Sequence, residues 1–355
     1  MKIKLEKRSP GTITTLYITF LSIILALGVS ALIFESQGVN PLIAYKEIFV
    51  GAFGSVYGFS ETVVKAIPLI LCGVGLSIAF RAKIWNIGAE GQLLMGAVAA
   101  TWIALNNNIP PNLKISLMFI VGFMCGAIWA LIPGFLRAKL NANEVITTLM
   151  MNYIAMELVK YLVVGPWKGA GEWGFPQTSI FPKSAWIPTI AKTRIHYLTL
   201  IIAFSSTIFT YILFVRTKVG YEIKVVGDNP EAARYAGISH FKIVMLVMLL
   251  SGGLAGIAGV GEVAGIHHRL RPPEGISAGY GYTAIIVSWL GKLNPLGVIV
   301  ASILFGGLLV GGDAIQVSLG LPSAVINIFN GAILTLILIG EYLANYKIKF
   351  EFRGG

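Results

Sequence analysis

The sequence predicts an all-α integral membrane protein, and three observations support that class: its composition, the length of its apolar runs and the placement of its charges. Of the 355 residues, 56% are hydrophobic and 12% are charged, whereas soluble globular proteins carry roughly 25% charged residues. The mean hydropathy is +0.79. Because the few charges collect in short clusters between long apolar runs, the pattern is typical of a polytopic membrane protein.

Ten apolar runs are predicted to be transmembrane helices, since about 20 apolar residues cross roughly 30 Å of hydrocarbon. The run 279–291 is short and bordered by glycines, so we expect a half-helix or a re-entrant segment there. A polar break precedes a Gly/Ala-rich helix at both 84–88 and 292–297, which predicts two loosely related halves, with chance similarity as the alternative. The predicted spans are 12–34, 62–80, 88–106, 113–136, 145–164, 196–215, 241–262, 279–291, 295–312 and 322–344.

The net charge of +11 follows the positive-inside pattern, because the basic clusters flank apolar runs. This placement disfavours nucleic-acid binding. With ten spans, we expect both termini to be cytoplasmic, as the tails 1–11 and 345–355 of a single transmembrane domain, 1–355, in the plasma membrane. The segment 267–271 is the exception, since its basic residues fall on the outer side. The conforming clusters are Lys2–Arg8, Arg81–Lys83, Arg137–Lys139, Arg216–Lys224, Arg234–Lys242 and Lys347–Arg353.

Several features exclude other classes of protein. The first apolar run is longer than the apolar region of a signal peptide and lacks a small-residue cleavage site, so a retained helix is predicted. Cys72 and Cys125 lie inside apolar runs, which favours buried thiols over a disulfide or a metal site. The sequence has no Gly-x-x-x-x-Gly-Lys-Ser/Thr phosphate loop, metal-ligand cluster or nucleophile–base arrangement. We therefore expect no enzyme activity, no catalytic residue and no metal or cofactor in this chain.

The cytoplasmic loop 216–240 encodes one short helix with sharp ends. Asp228 or Asn229 would cap the first amides, and Pro230 suits the first helical position. Gly237 supplies a left-handed stop. Such a short helix needs a surface to lean on, and it is explained either as an ordinary juxtamembrane helix or as a coupling helix seated in a cytoplasmic motor. Its small-residue face consists of Ala232, Ala233 and Ala236.

Three stretches of the sequence resemble one family. Residues 227–238, Gly-Asp-Asn-Pro-Glu-Ala-Ala-Arg-Tyr-Ala-Gly-Ile, resemble the ATPase-docking loop of ABC importer permeases in the branch that serves nucleosides, ribose and similar sugars. Residues 80–92 and 143–155 resemble sequences of the nucleoside permeases of that family. The likeness extends over about residues 60–344.

The resemblance implies a function and a set of partners. The chain would form the translocation path for nucleosides or related simple sugars, beside a second, non-identical permease. A separate ABC ATPase would use ATP and magnesium, and an extracellular lipoprotein would bind the solute. The sequence does not choose among purine nucleosides, pyrimidine nucleosides and sugars such as ribose. The residues expected to contact the ATPase are Gly227, Asp228, Asn229, Pro230, Ala232, Ala233, Ala236, Gly237 and Ile238.

Polar side chains near two predicted spans are candidates for the substrate path. On a helix through 144–164, a spacing of four places Thr148 and Asn152 on one face. An amide in hydrocarbon needs a partner, so it should face other helices or a wet cavity. Interhelical packing is the alternative role for each candidate. The predicted path residues are Asn86, Glu90, Gln92, Thr148 and Asn152.

Glycines recur at spacings of three and four in the run 241–262 and just beyond it. They predict close helix packing rather than a dinucleotide-binding loop, because no strand–turn–helix context surrounds them. They are Gly252, Gly253, Gly256, Gly259, Gly261 and Gly265.

Two alternative functions remain open at this point. An ion-gradient-driven secondary transporter of a small polar solute often carries buried carboxylates as ion relays. Here such carboxylates are scarce, and Glu157 has Lys160 three residues away. A scaffold that moves no solute is the third possibility.

Overall fold

A computed structural model describes residues 2–7, 12–171, 174–344 and 346–351. Most of these residues are helical, as predicted. The helices are α1 (Thr12–Ser36), α2 (Pro41–Phe53), α3 (Val56–Arg81), α4 (Ala89–Leu105), α5 (Lys114–Leu140), α6 (Glu144–Val164), α7 (Tyr197–Arg216), α8 (Lys218–Asp228), α9 (Pro230–Tyr235), α10 (His240–Gly261), α11 (Tyr280–Leu290), α12 (Pro295–Leu319) and α13 (Ser323–Ala344). A π-helical turn, Glu262–His267, extends α10, and short 3-10 turns cover Lys183–Ala185 and Pro273–Gly275.

In the part of the chain that the structure describes, five helices are long and apolar enough to cross a membrane: α3, α5, α7, α12, and α10 together with its π turn. A sixth span results if residues 21–36 and 41–53, which meet at an angle of 111°, count as one broken crossing. The multi-pass membrane class is therefore confirmed, whereas the count of ten stays a prediction. Helix α11 has 11 residues, which is only about 16 Å of helix, so the predicted short segment is confirmed.

The all-α prediction needs one addition, at the two predicted tails. Strand β1 (Lys2–Lys7) pairs antiparallel with strand β2 (Tyr346–Glu351), with Lys2 opposite Glu351. Both strands alternate charged and apolar residues, which is the period of a strand rather than a helix. The remaining tail residues, including Arg8 and Arg353 of the basic clusters, lie outside the described part of the chain.

The chain divides into two compact units, and the smaller one comprises residues 1–59 and 307–355. Helix α1 packs against α13 in this unit. Phe34 is fully buried there, and its ring centroid lies 5.1 Å from that of Phe329. The core residues of this unit are Ala26, Phe34, Ala44, Ile315, Leu321, Ile326, Phe329 and Ile333.

The larger unit, residues 60–306, is centred on α4, α5 and α10. Glycine allows these helices to meet backbone to backbone. A Cβ atom at Gly96 would overlap the backbone of Gly256, and one at Gly126 would overlap the carbonyl of Gly252. At Gly259 a Cβ would overlap the carbonyl of Leu93. Gly253, Gly261 and Gly265 likewise face a neighbouring side chain closely, so the predicted role of the six glycines in helix packing is confirmed.

The larger unit has two ends. Helices α8 and α9 connect the end of α7 to the start of α10, so they define one end, here named the coupling end. Helix α10 with its π turn runs for 28 residues, about 42 Å, to the opposite, distal end. The distal end therefore carries the segment 267–271 and the start of α7. At this end an ion pair of 3.0 Å joins Arg194 to Glu61, which lies in the second turn of α3.

Candidate functional site

Helix α9, at the coupling end, begins at a side-chain cap. The Asn229 Oδ1 atom accepts hydrogen bonds from the backbone N–H groups of Glu231 and Ala232, each at 3.0 Å. Pro230 occupies the first helical position, where a missing N–H costs nothing. Of the two predicted caps, Asn229 is therefore the one used, because Asp228 is the last residue of α8.

Helix α9 ends at the predicted glycine. Gly237 has φ +73°, in the left-handed region that favours glycine. Its N–H donates to the Arg234 carbonyl at 3.1 Å, and the Ile238 N–H donates to the Ala233 carbonyl at 2.9 Å. These bonds satisfy the last carbonyls of the helix. A helix of six residues is thus fixed at both ends by the residues that the sequence identified.

The three alanines of the predicted small-residue face of α9 differ in their exposure to solvent. Ala233 is 1% exposed and packs inward. Ala232 and Ala236 are exposed, and the Tyr235 side chain is 93% exposed. The small helix consequently presents two methyl groups and an aromatic ring to its surroundings.

Helix α8, which precedes α9, contacts the end of α3 at a glycine. Gly227 is buried, and a Cβ atom there would overlap the Arg81 carbonyl and lie 3.2 Å from the Ala82 Cα atom. The Arg81 guanidinium carbon lies 4.1 Å from the centroid of the Phe214 ring in α7. Helix α8 therefore packs on the last turn of α3. Two residues after that helix ends, Lys83 has a positive φ of 54°.

The break between α3 and α4 is held by amide side chains. The Asn86 Nδ2 group donates to Ser251 Oγ of α10 at 2.9 Å and to Gln92 Oε1 at 3.0 Å. The Asn86 Oδ1 atom accepts from Gln92 Nε2 at 2.9 Å and from the Gly88 N–H at 3.0 Å. The two amides therefore satisfy each other and fasten the break to α10.

Helix α6 supplies the other side of this polar cluster. Thr148 Oγ1 accepts from the Ile87 N–H at 3.1 Å. Asn152 Oδ1 accepts from the Gly91 N–H at 2.9 Å, and its Nδ2 group donates to the Ile87 carbonyl at 2.9 Å. The same Nδ2 group lies 3.2 Å from the Tyr282 hydroxyl of α11. Thr148 and Asn152 therefore share one face, as predicted, and that face contacts the break.

Glu90 joins α4 to the short helix α11. Its Oε2 atom accepts a hydrogen bond of 2.7 Å from the Gly281 N–H, in the first turn of α11. This bond gives an acceptor to one of the free amides at the start of α11. The two backbones meet closely at this point, since a Cβ atom at Gly281 would overlap the backbone of Glu90.

The structure brings the five predicted path residues into one polar cluster. Each of these residues is 3% exposed or less. The hydrogen bonds described above join their side chains to other groups of this chain. These contacts favour the packing alternative in this conformation, while the path role stays a prediction. Sequence reasoning missed Ser251, Gly281 and Tyr282, and a lone serine within the apolar run 241–262 was the one available signal. The cluster residues predicted from sequence are Asn86, Glu90, Gln92, Thr148 and Asn152.

Helices that are apolar and long enough to cross a membrane, together with a buried polar cluster and a capped helix at one end, are the features of a multi-pass membrane protein. A profile of the family described as "branched-chain amino acid transport system / permease component" matches residues 58–339. The chain belongs to this family. The resemblance inferred from the three motif stretches is thereby confirmed.

Curated relatives agree over nearly the whole chain. A glucose ABC transporter permease of Haloferax volcanii is 36% identical, over 94% of this chain and 89% of its own length. A guanosine ABC transporter permease of Bacillus subtilis is 32% identical over 94% and 95% of the two chains. A nucleoside ABC transporter permease of Lactococcus lactis is 32% identical over 91% and 90%. Because these relatives are ABC permeases, the chain is a transport component, and the secondary-transporter alternative is set aside.

Proposed function

We propose that this chain is the pore-forming subunit of an ATP-driven importer of nucleosides or related simple sugars. The substrate class is supported by the relatives, whose names specify guanosine, nucleosides and glucose. The observation that carries the coupling role is helix α9, which is capped at both ends and exposes Tyr235, Ala232 and Ala236 at one end of the larger unit.

The proposed partner at α9 is a separate ABC ATPase that uses ATP and magnesium. A helix of six residues cannot be stable by its own length, yet its termini are fixed by Asn229 and Gly237. It therefore forms a rigid projection that fits into a groove of another protein. Because Gly227 of α8 contacts the Arg81 carbonyl, a movement of α9 would also displace the end of α3.

The proposed mechanism is a shift of populations between outward-facing and inward-facing states. ATP binding closes the ATPase pair and favours one arrangement of α9, so that arrangement becomes the dominant one. The break at 84–88 follows the end of α3 directly, and it is tied to α6, α10 and α11 by the polar cluster. Movement of α3 would change those hydrogen bonds, which would expose amides to a polar solute as the path opens.

The remaining assembly is proposed from the same evidence. Helices α1, α3–α7 and α10–α13 would form ten spans in the plasma membrane, with both termini cytoplasmic. A second, non-identical permease would complete the path. An extracellular solute-binding lipoprotein would deliver the solute and set much of its selectivity.

The first experiment identifies the partners of the chain in mild detergent, purified from its native membrane. A stoichiometric ABC ATPase is expected with the unmodified chain. The variant Ala236→Trp should lose the ATPase, because the added ring occupies the exposed face of α9. Ala191→Trp is the matched control, since Ala191 is also an exposed alanine but lies in the loop 165–196 of the distal end. Retention of the ATPase by Ala236→Trp would contradict the docking role of α9.

The second experiment measures uptake in cells that lack other nucleoside and sugar importers. Labelled guanosine, uridine, ribose and glucose are compared, with each unlabelled solute as competitor. Uptake of one class that is abolished by vanadate and survives an ionophore supports an ATP-driven importer. Uptake of none of these solutes by the complete assembly would refute the substrate class.

A further inference from the structure

A cavity of about 370 Å³ lies between the end of α4 and the turn that follows α6. The loop after α6 leads to the start of α7, so the cavity belongs to the distal end. Its volume is within the range of small-ligand sites, roughly 300–1,000 Å³. The cavity is lined by Trp102, Leu105, Asn106, Pro166, Trp167 and Lys168.

Hydrogen bonds fix both walls of this cavity. The Trp167 N–H donates to the Leu162 carbonyl at 2.9 Å, which folds the turn back onto the end of α6. On the other wall, the Lys114 Nζ group donates to the Ala104 carbonyl at 2.8 Å and joins the last turn of α4 to the start of α5. Binding in the cavity therefore needs little further ordering of the chain.

The side chains that line the cavity carry hydrogen-bond donors. Asn106 Oδ1 already accepts from the Asn108 N–H at 3.0 Å, which leaves its Nδ2 group as a donor. Trp102 and Trp167 each carry an indole N–H, and Lys168 carries an ammonium group. Lys168 is exposed, and no ion pair of the described residues includes it. Because none of the described lining residues is acidic, this chemistry favours an anionic ligand with several acceptor oxygens.

The two helix ends beside the cavity are apolar on their exposed sides. In α4, which the structure describes in full, only Trp102 is exposed, at 54%. In the last turn of α6, Tyr161 and Val164 are 66% and 63% exposed. In a chain that crosses a membrane, tryptophan is enriched where the hydrocarbon meets the headgroups. The donors of the cavity thus lie next to a surface that suits acyl chains, which is the arrangement an amphipathic ligand requires.

We infer that this cavity binds the phosphodiester group of an anionic phospholipid in the membrane leaflet opposite α9. The phosphate oxygens would accept charge-assisted hydrogen bonds from Lys168 and further bonds from the Asn106 amide and the indole N–H groups. The acyl chains would lie along the exposed apolar surface of α4 and α6. A zwitterionic headgroup is a poorer ligand, because its ammonium group finds no carboxylate among the described lining residues. The site requires only that the chain cross a membrane, so it does not depend on the importer function.

The test strips lipid from the full-length chain, purified with its partners in mild detergent, and measures rebinding by native mass spectrometry. Phosphatidylglycerol, phosphatidylcholine and water-soluble glycerol phosphate are titrated separately, and phosphatidylglycerol should bind most tightly. Lys168→Gln should weaken the tightest phosphatidylglycerol site by about fivefold, the contribution of one basic residue near an anionic surface. Trp102→Leu should weaken the same site, because it removes an N–H donor and an interfacial ring. Lys192→Gln is the matched control, because Lys192 is exposed in the same loop but does not line the cavity.

Each other outcome overturns the inference in a distinguishable way. Equal losses for Lys168→Gln and Lys192→Gln indicate a general effect of net charge. A loss for Lys168→Gln with none for Trp102→Leu places the lipid elsewhere on the loop. Equal affinity for phosphatidylcholine refutes the preference for an anionic headgroup, and equally tight binding of glycerol phosphate assigns the cavity to a soluble phosphate. Loss of a copurified protein from Lys168→Gln, with lipid binding unchanged, assigns the cavity to a protein partner.

Discussion

The contact between Gly227 and the end of α3 gives the sharpest test of coupling. In Gly227→Ala, the new methyl group would overlap the Arg81 carbonyl and lie 3.2 Å from the Ala82 Cα atom. Both neighbours are backbone, so no flexible side chain can move aside. Overpacking of this kind costs about 1–3 kcal/mol. Alanine in place of glycine within a helix returns about 1 kcal/mol, so we expect a net loss of up to about 2 kcal/mol at this contact.

The loss should appear in transport rather than in assembly. The exposed face of α9 is unchanged in Gly227→Ala, so the ATPase should still copurify in full yield. A loss of about 2 kcal/mol in the coupling between α8 and α3 corresponds to roughly a 30-fold change in an equilibrium between states, since 1.4 kcal/mol is about tenfold. Uptake per ATP hydrolysed in proteoliposomes is the appropriate assay, and it should fall severalfold or more.

A matched glycine separates this effect from a general one. Gly28 also lies within a helix, and a Cβ atom there would meet nothing within 4 Å in this chain. Gly28→Ala should therefore leave uptake per ATP unchanged. If Gly227→Ala transports with the same stoichiometry as the unmodified protein, or if both alanines lower it equally, the proposed route from α8 to α3 is refuted.

Three further substitutions test the capped helix and the polar cluster. Asn229→Ala removes the acceptor for two amides of α9 and should destabilise that helix by about 1 kcal/mol. The loss should be measured as faster amide exchange at Glu231 and Ala232. Asn229→Asp should retain the cap, and equal exchange in both variants would contradict this role. Asn152→Leu leaves the Gly91 N–H without its acceptor and should cost about 1–3 kcal/mol, measured as a lower thermal midpoint in detergent; an unchanged midpoint with a raised KM for uptake would favour solute contact over packing. Glu90→Ala leaves the Gly281 N–H without its acceptor and should cost about 1–3 kcal/mol, again measured as a lower thermal midpoint. Glu90→Gln keeps an acceptor oxygen at that position and should cost less, so equal losses for the two variants would contradict the capping role.

The helices could be predicted where a local signal decides them. The predicted run 88–106 corresponds to α4 (Ala89–Leu105), and 279–291 corresponds to α11 (Tyr280–Leu290). Both could be predicted because a glycine or an asparagine marks each end of the apolar run. Helices α2 and α8 were not predicted, since both lie in stretches with charged residues and no long apolar run; the loop 216–240 therefore holds two helices rather than the one expected. The π turn also has no sequence signature, because it depends on where a helix must end against its neighbours.

The polar cluster shows where prediction from the sequence stops. Spacing alone places Thr148 and Asn152 on one face. The partners of these side chains, however, are backbone groups of Ile87 and Gly91, about 60 residues earlier in the chain. Such a pairing is created by the packing of α6 against the break, and no periodic pattern encodes it. For the same reason, the sequence could nominate Asn86 but could not show that Ser251 receives its hydrogen bond.

The two sets of residues nominated from the sequence are joined by one short piece of chain. Gly227 contacts Arg81 and Ala82, and four residues later Asn86 begins the polar cluster. Spatial proximity alone does not establish coupling, because a route requires an element with two discrete arrangements. The break at 84–88 has two features of such an element: a left-handed residue at Lys83 separates two helices, and side chains make several of the hydrogen bonds that hold the break to α6 and α10. Side-chain bonds can be exchanged for bonds to a polar solute at little net cost, since folding already trades one partner for another. The buried state of the cluster and its predicted role in the path are therefore compatible, as the closed and open arrangements of the same groups.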